Sequence, residues 1–413
     1  MTIDSDNTLL LPLAPTLVKF KLSAVLFLLF CSMGALTPIM SLYLTSHLGF
    51  SGTQTGFILS FSAAASFVVP VIGAIVADRA VSSERLFTIL AFICSGAILM
   101  MAHVRSFIPF AATYLLYIVV NGPLANLSNT IIFHHSPNRR KGYGGIRVWG
   151  TVGWMAVAWI ILLSGVKTGS QTNSLTVVFY FAAAFAAILG LASFSIPVTI
   201  SKDQRKRIEL FPRDSLNVIR RPEIMLLMGL GMMNFILDRF FLFGASPFLE
   251  QIGVQEKMIL PMMTLGQALE IPAMFLLGYI ISRWGIRTIL ITGAVTNMCR
   301  YLLLMNADTE FLAGAGILFH GPSYTFLFAT AFIFLDSRVN RFSRAGVHQI
   351  YGLVTGGIGT FLGNILAGVT ADMVTDGAGV VNFQRFWKGA FGGSVLVLVF
   401  ILLTFRYTMP ADD

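Results

Sequence analysis

Long apolar runs separated by short polar, glycine-rich or charged breaks dominate this chain. Twelve stand out, over 19–44, 54–77, 86–104, 107–133, 146–165, 174–197, 224–249, 258–282, 287–305, 309–335, 345–371 and 384–405. At about 1.5 Å of rise per helical residue, runs of about 20 residues cover the roughly 30 Å of bilayer hydrocarbon. A backbone in that layer must satisfy its own hydrogen bonds, so each run is predicted as a helix. The expected fold is an all-α membrane protein of twelve transmembrane helices. The longest polar stretch, Ser201 to Pro222, separates six runs from six and sets expected units of 1–200, a cytoplasmic linker 201–222, and 223–413. A weak internal repeat agrees with two six-helix halves. Gly73-Ala-Ile-Val-Ala-Asp78-Arg79 closes span two and Gly278-Tyr-Ile-Ile-Ser-Arg283 closes span eight, with the glycines 205 residues apart. Parallel halves around a midplane site are one arrangement of secondary transporters.

Composition narrows the class. Apolar residues make up 56% of the chain and charged residues only 11%, where a soluble protein carries about a quarter charged. The formal charge of +9 is unevenly placed. With the N-terminus inside, 21 of the 28 Lys and Arg fall in cytoplasmic segments and five in outer ones, while Arg239 and Arg300 lie within spans. By the positive-inside rule this predicts a multi-pass protein of the inner, cytoplasmic membrane with both termini cytoplasmic. The basic excess is then topology rather than a nucleic-acid footprint. Residues 1–18 carry Asp4 and Asp6 with no basic stretch ahead of their short apolar run, so no cleaved signal is expected. Cys31, Cys94 and Cys299 lie in apolar runs without a CxxC, which argues against disulfides and cysteine-held metal. No GxxxxGK[ST], dinucleotide fingerprint, GxSxG or HExxH occurs. Gradient-driven transport is the default, an enzyme is not expected, and nothing calls for a cofactor.

Against this apolar background the polar residues inside spans carry the chemistry. Glu270 is the only ionisable residue between Met258 and Ser282, twelve residues from either end of that run. A charge at such depth costs about 2.5–3.5 kcal/mol on insertion scales, so it needs a polar partner, a wet cavity or an exchangeable proton. Gln267 lies three positions earlier, on the same face. Amide and carboxyl together suit the hydroxyls and ring nitrogens of an uncharged polar solute. The structural alternative is an ion pair between Glu270 and Arg300.

Asp238 and Arg239 lie near the middle of span seven and, as neighbours, point about 100° apart. They line a pathway or merely screen one another. In span four, Asn129 and Thr130 are cavity donors or ordinary interhelical hydrogen bonds. His134 and His135 read as loop histidines rather than metal ligands, for want of a third ligand. Span five sets Arg147, Thr151 and Trp154 on one stripe, where cation, hydroxyl and indole can clamp a flat heterocycle. Topogenic charge and packing is the alternative there. Span ten contains His320-Gly-Pro-Ser-Tyr324, in which Gly-Pro predicts a kink or break and His320 and Tyr324 share a face.

Several of these stretches together resemble the nucleoside:proton symporter family of the major facilitator superfamily. The resemblance is carried by Ile146-Arg-Val-Trp-Gly-Thr-Val-Gly-Trp154 and by Gln267-x-x-Glu270. It extends to Leu48-Gly-Phe-Ser-Gly52, Ala77-Asp78-Arg79, Asn129-Thr130, Ser282-Arg-Trp-Gly285, Arg300 and His320-Gly-x-x-Tyr324. It implies a twelve-helix major facilitator fold, a monomer, and nucleoside uptake driven by the proton gradient. It also implies a substrate cavity lined by Arg147, Thr151, Trp154, Gln267, Glu270, His320 and Tyr324, with Glu270 leading for proton coupling or ribose contact. Two departures stand out. Thr325, which cannot titrate, occupies a position where the family commonly has an aspartate, leaving Asp238 as a substitute proton carrier. Span one, Cys31-Ser-Met33-Gly34-Ala-Leu36, lacks the aromatics usual around its glycine. The expected partners are a nucleoside or similar small solute, protons and the lipid bilayer. Symport or facilitated transport of a sugar, glycoside or aromatic acid is the alternative within transport, and a membrane sensor without flux is the alternative outside it.

Overall fold

This computed structural model describes residues 15–77, 82–135, 141–165, 174–196, 213–340 and 343–405. Among them eleven helices are long and apolar enough to cross a membrane. Ten correspond to single expected spans: Leu17–His47, Gly52–Ile72, Ser83–His103, Phe107–Ile132, Gly144–Leu163, Leu175–Ser193, Pro222–Gln251, Glu310–Arg338, Arg344–Met373 and Phe383–Thr404. The remaining one, Glu256–Met305, is 50 residues long and contains spans eight and nine together. Its continuity is broken at Gly285, where φ is 75° and ψ 158°. That region of backbone space is open essentially to glycine alone, so one residue turns the chain between two antiparallel legs. Span ten records both directions. A Cβ on Gly266 would meet His320, and one on Gly321 would meet Glu270. On the second leg, Gly293 faces Phe326 and Leu327, while Leu304 lies against Gly316. Twelve crossings therefore come from eleven helices.

Span one packs along spans five and six, span three along four and six, and span seven along eleven and twelve. Aromatic contacts tie span nine to twelve, with Tyr301 stacked on Trp387 at 5.9 Å between centroids, and Phe248 and Phe383 close by. Span ten is not a continuous α-helix. It runs Glu310–Leu318, turns at Phe319, resumes at His320–Tyr324, widens to a π-helical segment over Thr325–Ala329 and ends as Thr330–Arg338. The expected Gly-Pro break thus sits one residue before His320, and wide turns of this kind recur at functional sites.

The halves interlock at the bundle end that carries the loops near residues 48–51, 252–255 and 374–382. There the carboxylate of Asp372, on span eleven, accepts the backbone N–H groups of Gly52 at 2.6 Å and Thr53 at 2.7 Å, at the start of span two. Ser46 donates to Glu250 at 2.6 Å, and Asn364 Nδ2 donates to the Leu59 carbonyl at 3.2 Å. Asp78 and Arg79 of the internal repeat, and the side chains of His134 and His135, lie outside the described residues.

Candidate substrate site

The site grows out of a close helix crossing. After Pro261 the first leg of the long helix breaks at Thr264, whose hydroxyl donates to the Pro261 carbonyl at 2.7 Å. The helix resumes at Leu265 and brings Gln267 and Glu270 to span ten. Gly321 sits against the Gly266 carbonyl and the Glu270 backbone so tightly that a side chain there would overlap both. This contact fixes the depth of Glu270 relative to His320 and Tyr324. Glu270 is half-buried and makes no hydrogen bond or ion pair among the described residues. The Gln267 carbonyl oxygen is buried and unpartnered as well.

The considered ion pair between Glu270 and Arg300 does not form. Arg300, only 3% exposed, instead shares a hydrogen bond with His320 Nδ1 at 2.7 Å and donates to the Tyr301 hydroxyl at 2.5 Å. Tyr301 donates onward to the Leu237 carbonyl at 2.6 Å. The Arg300 guanidinium lies 4.8 Å from the centre of the Phe241 ring, on which the imidazole of His320 is stacked at 4.7 Å. His320 is therefore bonded across helices, from span ten to Arg300 of span nine, within a polar cluster.

Asp238 joins that cluster from span seven, with Oδ1 3.9 Å from His320 Nδ1. Its closest partner is its own neighbour, since Arg239 Nη2 meets Asp238 Oδ2 at 2.5 Å. Adjacent residues do diverge at Cβ, but the long arginine side chain folds back, so the two satisfy each other. Asp238, His320, Tyr324 and Arg300 line a cleft of only about 10 Å³ with Asn234, Asn297 and Ser323. Both amide atoms of Asn234, and Oδ1 of Asn297, are buried without partners. Residue-by-residue reading passed over these two asparagines. The available signal was helical spacing, Asn234 being four before Asp238 and Asn297 three before Arg300.

The first half contributes less directly. Arg147 lies 4.6 Å from the centre of the Phe30 ring and acts electrostatically on Glu270 and Tyr324 across the gap between halves. Trp154 packs on Gly34 of span one, and Thr151 is half-buried on the same stripe. Asn129 donates to the Ala125 carbonyl at 3.3 Å within its own helix. The structure thus gathers Glu270, Gln267, His320, Tyr324 and Asp238, sets Arg147 opposite them, and gives Asn129 a bond within its own span. An acid with no fixed partner, unpaired amides and stacked rings offer the donors, acceptors and ring faces that suit an uncharged heterocycle bearing hydroxyls.

Known proteins of the same kind match over nearly the whole chain. The putative nucleoside transporter YegT of Escherichia coli K12 is 29% identical over 408 residues, covering 95% of this chain and 94% of its own. The nucleoside permease NupG of the same strain is 25% identical over 415 residues, with 94% and 96% covered. The fold is similar to the crystal structure of the nucleoside transporter NupG, with a TM-score of 0.83 at 23% identity over 95% of this chain and all of that one. A bacterial homolog of the human lysosomal transporter Spinster, in an inward-facing conformation, superposes with a TM-score of 0.71 at 14% identity, covering 94% and 95%. These likenesses establish the major facilitator fold. The sequence model of the nucleoside H+ symporter family matches residues 16–410. This chain is a member of the nucleoside H+ symporter family.

Proposed function

We propose that this protein imports nucleosides together with protons across the cytoplasmic membrane by alternating access of its two halves. The observation that carries the reading is Glu270, a mid-span acid beside Gln267, fixed in depth by Gly321 and without an ion-pair partner. Such a carboxyl accepts ribose hydroxyls when ionised and holds a proton when not. Arg147, Thr151 and Trp154 offer the heterocycle a cation, a hydroxyl and an indole from the first half, with Asn129 on the same side. His320 and Tyr324 complete the site from the second. Asp238 substitutes as the second proton carrier, because the Thr325 hydroxyl does not titrate. Membership of the family and the names of YegT and NupG support the substrate class.

The distribution of Lys and Arg puts both termini and the linker 201–222 on the cytoplasmic side, and the interlocked end outside. The working unit is a monomer of two units, 1–200 and 223–413. Labelled uridine and adenosine uptake into proteoliposomes, with and without an inward proton gradient, tests the reading. Stimulation by the gradient is expected. Uptake indifferent to the gradient would make the protein a facilitator, a reading favoured by Thr325, whose buried hydroxyl has no partner. No uptake by folded protein would move the substrate to a sugar, glycoside or aromatic acid.

A further inference from the structure

The cleft around Asp238 and His320, at about 10 Å³, holds no more than a single water. A larger cavity, of about 240 Å³, lies between the halves and is lined by Arg239 rather than Asp238. Ser41 of span one and Tyr114, Tyr117 and Asn121 of span four wall it from the first half, and Asn364 of span eleven joins Arg239 on the second. Ser41 is five residues before Ser46 and Asn364 eight before Asp372. At helical rise this places the cavity about 8–12 Å in from the interlock.

The polar atoms of this cavity have bonds to spare. Ser41 is 1% exposed and its hydroxyl has no partner. Asn121 is buried and makes no hydrogen bond among the described residues. Arg239 engages Asp238 through Nη2, and its Nε is buried without a partner. Asn364 is held the other way about. Its Nδ2 donates to the carbonyls of Leu59 at 3.2 Å and Thr360 at 3.0 Å, and to the Ser62 hydroxyl at 3.5 Å. Those bonds fix the orientation of the amide, and its Oδ1 accepts nothing among the described residues. The stem of Arg239 is seated against Gly363, next to Asn364 in the chain. One stretch of wall thus carries a group that only donates beside an oxygen that only accepts.

We propose that this cavity is an outer subsite for the heterocycle of the solute, in which Arg239 and Asn364 select bases with a lactam edge, a ring carbonyl beside a ring N–H. The inference rests on reading the solute as a nucleoside. Uracil and hypoxanthine present that edge. Their carbonyl accepts from the guanidinium, and their N–H donates to Asn364 Oδ1. Cytosine and adenine present the reverse, an amino donor beside a ring-nitrogen acceptor. Donor then meets guanidinium and acceptor meets carbonyl oxygen, and buried groups are left unpaired. Ser41, Tyr114 and Asn121 can each donate or accept, so they bind either kind of base without discriminating.

Size and charge agree with this occupant. The cavity is smaller than the roughly 300 Å³ at which pockets take whole drug-sized ligands, so it admits one heterocycle and leaves the ribose outside. Tyr114 and Tyr117, with ring centres 6.1 Å apart, offer faces to a flat base. Asp238 balances the charge of Arg239, which suits an uncharged base rather than an anion. The other group able to read a base edge is Gln267, whose carbonyl oxygen is also unpartnered but which lies on span eight, outside this cavity.

The test is competition with labelled uridine for uptake by full-length protein in proteoliposomes. Inosine should compete about as well as unlabelled uridine, and cytidine and adenosine about tenfold or more weakly, as expected where buried donors and acceptors go unpaired. Uridine methylated on the ring N–H should fall with cytidine, while ribothymidine, whose extra methyl lies off that edge, should match uridine. Equal competition by cytidine or by the N-methylated uridine overturns the proposal. In Arg239→Gln, whose amide can donate or accept, the preference for uridine over cytidine should shrink to about one, and Arg239→Lys, a donor only, should keep it. A parental preference in Arg239→Gln would mean that the edge is read elsewhere, as at Gln267, and overturns the proposal. Should that variant not fold, Asp238→Asn with Arg239→Gln replaces it, read by the same two outcomes. Thermal unfolding of the parent in detergent separates this inference from the reading beneath it, since a bound ligand raises the unfolding temperature. A rise with uracil and none with cytosine, in protein that takes up no uridine, would sink the nucleoside reading and leave the subsite standing. No rise and no uptake would overturn both.

Discussion

At the scale of single residues, Glu270 was legible because a lone acid in an apolar run has few structural explanations. Gln267 followed from spacing. What spacing could not supply was the partner of each group. It gives Cβ directions, not the end points of long side chains, so the return of Arg239 onto Asp238 and the pairing of Arg300 with His320 rather than Glu270 are set by the fold and not by spacing. Asn234 and Asn297 were overlooked because neutral amides in a span carry little weight until their hydrogen-bonding atoms prove unpartnered. The freedom of Glu270 has a direct consequence. Glu270→Gln keeps the shape and removes the titratable proton, so accumulation of labelled uridine against its gradient is expected to disappear at every pH. Accumulation equal to that of the parent would remove Glu270 from proton coupling.

At the scale of elements, the twelve apolar runs were readable because membrane helices must be long and uninterrupted in their backbone bonding. The joining of spans eight and nine through one glycine was not, since Arg283 to Arg287 reads as an ordinary charged loop. Gly285→Ala forces a side chain into a region of backbone space that costs about 1–3 kcal/mol. A lower thermal unfolding temperature in detergent is therefore expected, and an unchanged one would mean the turn relaxes freely. The Gly-Pro signal in span ten pointed to a break, and the break is there, followed by a π-helical segment that no residue pattern announced. Gly321→Ala tests the crossing that seats Glu270. Its methyl group would overlap the backbone of span eight, an overpacking cost of about 1–3 kcal/mol. Uridine uptake should fall by about tenfold or more in protein that still folds, because a displacement near 1 Å at a binding site is felt strongly.

For the whole molecule, the pattern of twelve apolar runs outlined the major facilitator architecture. The seam could not be foreseen, because Asp372 bonds to Gly52, 320 residues away in sequence. A carboxylate accepting two backbone N–H groups at a helix start is a charge-assisted arrangement, stronger than a neutral one. Asp372→Asn retains the size but loses the charge and one acceptor. Maleimide labelling of Thr55→Cys, a position fully buried beside this seam, should then rise by about five- to tenfold, equivalent to about 1–1.4 kcal/mol. No rise would show that the close packing of Gly52 and Gly56 on Gly368 closes this end by itself.

The single-residue turn at Gly285 also bears on how the chain enters its membrane. Span eight carries Glu270 and span nine Arg300, and each charge taken alone disfavours insertion by about 3 kcal/mol. With no loop between them, the two spans must leave the translocation channel as one helical hairpin, presenting acid and base to each other before either meets its final neighbours. In a microsomal glycosylation-mapping assay, span eight alone should insert poorly and Glu270→Leu should correct it. The unaltered pair, joined through Gly285, should insert without such help.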